Sequence, residues 1–72
     1  MMKTYEFIHK ISALEELASK DQTLADILEI YQNEGCSERF DDIQSWIVDV
    51  YEHHADLLTT KMSKIGIVRE LK

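Results

Sequence analysis

The chain has 72 residues, enough for one domain, with 44% hydrophobic and 31% charged residues, a globular composition and not a disordered one. Its net charge is −6, and residues 15–58 alone carry twelve acids against two bases, which argues against binding to a phosphate backbone, an affinity built on clustered Lys and Arg. Cys36 is the sole cysteine, so no internal disulfide or zinc-finger quartet can staple a core that buries only about 60% of the unfolded surface at this size.

Proline is absent and glycine occurs only at positions 35 and 66, so helices can run long. The first predicted helix covers about residues 4–18, where Phe7, Ile11, Leu14 and Ala18 recur at helical spacing and Tyr5, His9, Ser12 and Glu16 take the opposite face. Thr4 is its candidate N-cap. The second covers about residues 20–34. Ser19 and Gln22 fit a capping box, Leu24, Ile27, Leu28 and Tyr31 make the apolar face, and Gly35 is the stop. The third covers about residues 37–62, with Ser37 as N-cap and a seam of Ile43, Trp46, Ile47, Val50, His54 and Leu57. Residues 63–72 form a short helix or a frayed tail. The expected fold is all-α: a small bundle of three or four helices with a long third helix.

That third helix sets a problem of length. A helix over residues 37–64 is about 40 Å long, while a globule of this size is only about 29 Å across. It either breaks near Thr59-Thr60 or projects and pairs with a second chain. The second option makes the seam from Ile43 to Leu57 a homodimer interface, in which His54 is a polar register residue.

Motifs for catalysis are missing: no Gly-rich phosphate loop, no Gly-x-Ser-x-Gly, no His-Glu-x-x-His, no Cys-x-x-Cys. Asp49, His53 and Asp56 share a face on the predicted helix, but nothing marks the further ligand that a metal needs. Cys36 lies between Glu34 and Glu38, whose charges oppose a thiolate. No catalytic residue, metal or cofactor is expected, and the chain reads as a non-enzyme. The lone thiol, and the absence of a signal peptide or an apolar run long enough to span a bilayer, suit the cytoplasm.

The acids carry the most information. On a third helix Asp42, Asp49 and Asp56 are seven residues apart and line up, with Glu52 beside them and no Lys four residues on to balance them. The plain reading is a solvated face. The functional reading is a surface for a basic protein partner, with Tyr51 and Phe40 as aromatic anchors.

Two short stretches invite comparison. Residues 10–17, Lys10-Ile11-Ser12-Ala13-Leu14-Glu15-Glu16-Leu17, are similar to the first helix of the Hha-type nucleoid modulators. His54-Ala55-Asp56 with Leu58 is similar to part of the second helix of the Rop-type dimeric plasmid proteins. Each covers a handful of helix-favouring residues, and the chain is assigned to neither family. The expected function is binding and modulation of another protein, as an inhibitor, antitoxin, immunity or phage-type regulator covering a basic site on a nucleic-acid-handling partner. The alternative is a structural or regulatory helical homodimer with no such partner.

Overall fold

The structure, a computed structural model, describes residues 1–71. It overturns the all-α expectation. The chain order is β1 (Met2–Lys10), α1 (Ile11–Lys20), α2 (Gln22–Tyr31), β2 (Cys36–Phe40), β3 (Ile43–Tyr51), α3 (Glu52–Met62) and β4 (Gly66–Leu71). The four strands form one antiparallel sheet in the order β2-β3-β1-β4. This is the connectivity of a ferredoxin-like split βαβ fold, with the first crossover helix divided in two at Asp21.

The correction has a local cause. Residues 43–51 pack Ile43, Ile47, Val48 and Val50, all β-branched, beside Trp46 and Tyr51. Such side chains lose rotamer freedom against a helical turn and fit a pleated surface. Trp46, Val48 and Val50 alternate with Ile47, Asp49 and Tyr51, and only the first set is buried. The helical spacing of Ile43, Ile47 and Val50 was a sampling of both faces of one strand. The first predicted helix fails in the same way over β1, where Tyr5, Phe7 and His9 are buried at strand period. His9, expected on a solvated helix face, is 3% exposed. The similarity of residues 10–17 to a nucleoid-modulator helix extends no further than α1, and neither all-helical family matches this sheet-containing architecture.

The helix boundaries follow from capping. The helix expected over residues 20–34 forms over 22–31, and its N-cap is Asp21, not Ser19. Asp21 accepts the Leu24 amide at 3.1 Å and pairs with the Lys61 ammonium of α3. Ser19 instead donates to the Glu16 carbonyl at the end of α1. The long third helix shrinks to residues 52–62 and runs through Thr59-Thr60 without a break.

The helices cover one face of the sheet. Leu24, Ile27 and Tyr31 of α2 and Ala55, Leu58 and Met62 of α3 meet Tyr5, Phe7, Trp46, Val48 and Val50 of the central strands. Phe7 stacks on Tyr5 at 5.9 Å and meets Trp46 at a tilt at 5.7 Å, ring centre to ring centre. Gly35, at φ +74, enters β2 so close to β3 that a Cβ there would lie 2.2 Å from the Ile47 carbonyl oxygen. The other face of the sheet has no covering layer among the described residues.

Candidate interaction surfaces

The residues expected to bind a partner divide into two groups at opposite ends of the sheet. Asp42 and Phe40 belong to the β2–β3 hairpin, whose two-residue turn places Asp41 at φ 55. There the Asp42 carboxylate accepts the Ser12 amide at 3.0 Å and the Ser12 hydroxyl, and its carbonyl accepts the Ile11 amide at 2.6 Å. Lys10 gives α1 no side-chain cap, so Asp42 performs that task from thirty residues away. The Ser12 hydroxyl and amide hold the Asp42 carboxyl below the usual carboxylate range, with help from the charge of Lys10.

Asp49, Tyr51, Glu52 and Asp56 gather at the other end, where β3 runs into α3. They no longer share one helix face: Asp49 and Tyr51 point to the uncovered side of the sheet, and Glu52 and Asp56 lie on α3. Tyr51 is held from behind. The buried Tyr31 hydroxyl accepts the Tyr51 amide at 3.0 Å and shares a hydrogen bond of 2.7 Å with His54 Nδ1. The His53 ring stacks on Tyr51 at 5.7 Å and lies 4.1 Å from the His54 ring.

Two grooves flank Tyr51. One, of about 460 Å³, lies where β2 stops and β3 continues. Its walls include Ile30, Glu34, Cys36, Asp49 and Tyr51. The other, of about 530 Å³, is lined by Met1, Lys3, Tyr51, Glu52, His53, Ala55 and Asp56. Each groove thus has two carboxylates, and Lys3 is the sole ammonium side chain between them. The β2 ladder ends at the pair Cys36–Ile47, which leaves the outer edge of β3 from Val48 onward to the first groove.

The residues of the expected dimer seam also part company. Trp46 and Val50 are in the core. Ile43 and Ile47 face the open side of the sheet, His54 bonds to Tyr31, and Leu57 is half-buried against the core. In register across β2, β3, β1 and β4, the open face has Phe40, Ile43 and Lys10 in its first row. Glu38, Ser45, Ile8 and Ile67 form the second, and Cys36, Ile47, Glu6 and Arg69 the third. Asp49, Thr4 and Leu71 make the fourth, and Tyr51 with Met2 the last. Arg69 Nε donates to Glu6 at 2.9 Å, and the Thr4 hydroxyl donates to Asp49.

Sequence reasoning missed Glu34, His53 and Tyr31 as neighbours of Tyr51, and it missed Ile67 altogether as a surface residue. One signal was present. Along residues 43–51 apolar side chains occupy both parities, Ile43, Ile47 and Tyr51 beside Trp46, Val48 and Val50, which marks a strand with two apolar faces.

Asp49, His53 and Asp56, once aligned as a possible metal face, are split between β3 and α3. Among the described residues no group of three or more His, Cys, Asp or Glu side chains is placed to hold a metal ion. Likewise no helix among them is long and apolar enough to cross a membrane. No protein-family model, curated protein or solved structure matches the chain.

Proposed function

We propose that this protein acts by binding another protein rather than by catalysis, and that the partner is basic. One observation carries the reading: a half-exposed tyrosine, braced by three rings, stands between two grooves that each present two carboxylates. Aromatic anchors supply lifetime at interfaces, and surrounding charges set the rate of encounter. The helical side adds to the field, since residues 11–34 hold six acids against Lys20 alone. Such a surface suits a small inhibitor, antitoxin, immunity or phage-type regulator that covers a basic site on a nucleic-acid-handling protein. An intracellular, reducing setting accords with the exposed free thiol of Cys36.

The test uses a partner captured at low salt and released at high salt. Glu34→Lys with Asp56→Lys changes one wall of each groove and spares the Asp49–Thr4 hydrogen bond. Association of this double variant should slow by about tenfold or more at low salt, with a flatter salt dependence. Tyr51→Ala should speed dissociation instead. A double variant that associates at the wild-type rate in low salt refutes the reading.

A further inference from the structure

We infer that the open face of the sheet is covered by a second copy of this chain, packed sheet against sheet. The inference is independent of the partner reading, which concerns the β3–α3 end.

An antiparallel sheet with one face in water ordinarily alternates apolar residues inward and polar residues outward. This one does not. Phe40, Ile43, Ile47 and Ile67 are 81%, 41%, 39% and 57% exposed on the uncovered side. They come from β2, β3 and β4, and Ile8 of β1 joins them across the middle. An apolar patch that runs from Phe40 to Ile67 over four strands, with paired charges at its margins, is what sheet-on-sheet packing buries, with two such faces about 10 Å apart.

Charge identifies the occupant. In the three rows from Phe40 to Arg69, Lys10 and Arg69 balance Glu6 and Glu38, so this region is neutral on a chain of net charge −6. A basic protein would find no counter-charge there. A second acidic chain meets no net charge in these rows, and Glu15, Glu16, Asp26 and Glu29 of α1 and α2 lie on the covered side of the sheet, away from the junction between copies. The area is also adequate. The eleven positions of these three rows, at the usual strand and residue spacings, give a plan of roughly 350 Å² per copy, about 700 Å² for a pair, and the protruding side chains of Phe40 and Ile67 raise the buried accessible area toward the roughly 1,000 Å² of a specific interface. A core this small gains the support that it lacks alone.

Sedimentation equilibrium of the full chain at tens of micromolar tests the inference. The expected mass is twice the 8.4 kDa of one chain. Phe40→Ser and Ile67→Asp should each weaken the dimer by about tenfold or more with an unchanged far-ultraviolet spectrum. Phe40 is exposed and unpacked enough that its replacement leaves the fold intact. Glu29→Lys, on the solvent side of α2, should leave association as it is. A monomer at this concentration overturns the inference. So does a dimer that tolerates both face substitutions, or one that Glu29→Lys dissociates. Neither result touches the partner reading, which Glu34→Lys with Asp56→Lys tests at another surface.

Discussion

Tyr31 links the core to the candidate site through one oxygen. Its ring is 2% exposed among core side chains, and its hydroxyl serves both the Tyr51 amide and His54 Nδ1. Tyr31→Phe keeps the ring and strands two polar atoms. A buried group left without its partner costs about 1–3 kcal/mol, and each kcal/mol moves Tm by about 4–8 °C in a domain of this size. Thermal unfolding followed by circular dichroism should show that drop. An unchanged Tm means that water replaces the phenol and the bracing of Tyr51 is dispensable. Cys36, by contrast, is exposed and unpaired, and nothing in its surroundings assigns it a chemical task.

At the scale of elements, α1 is the weakest unit. It buries no residue completely, has no cap of its own, and depends on Asp42 across the hairpin. Asp42→Ala should lower Tm and selectively lose amide protection in residues 11–20, as read by hydrogen exchange, while Asp42→Asn should retain part of both because asparagine also caps. Uniform loss across the fold would show that the hairpin and not the helix is what Asp42 supports. This contact also explains how far the sequence could be read. The segments α2 and α3 were recognisable as helical because Leu24, Ile27 and Tyr31, and Ala55, Leu58 and Met62, recur at three- and four-residue spacing. The strands were not, because β1 and β3 carry apolar residues on both faces and such runs fit a helical wheel by chance. Asp49, Glu52 and Asp56 were singled out with Asp42 by charge and by alignment on a helix that does not form over Asp42 and Asp49, and Tyr51 was singled out as an aromatic anchor. Glu34 and Tyr31 join them only through the sheet crossover, which no local spacing encodes.

At the scale of the molecule, the titrating groups give stability a stepped pH profile. Burial holds His9 below its usual 6.5, and the charge of Arg39 adds to this, against the hydrogen bond with Gln44. His9 is therefore neutral in the fold while the unfolded chain takes a proton, so stability is fully present above pH 6.5 and declines as pH falls from there to the lower folded value. Asp21 and Asp42 act in a second step. The hydrogen bond from Lys61 lowers the first and that from Ser12 the second. Their contribution is present above 3.8 and lost as pH falls through the depressed folded values. Urea unfolding at a series of pH values should trace both steps, and His9→Phe should erase the first alone. A profile flat between neutrality and mild acid would show that His9 Nδ1, which has no protein partner among the described residues, is not sealed from water.

The strand order also dictates when the chain can fold. β1 sits at the centre of the sheet, yet Phe7 pairs with Trp46 on one side and Val68 on the other. Neither neighbour is a local contact, so the helices can form early while the sheet must await the closure of two long loops. During synthesis β1 leaves the ribosome before β3 and β4, and it stays unpaired on one side until β4 follows. Through that interval its backbone offers an open edge to any other nascent strand. A chain halted before residue 66 should therefore aggregate through β1, and release of β4 is the step that closes this edge.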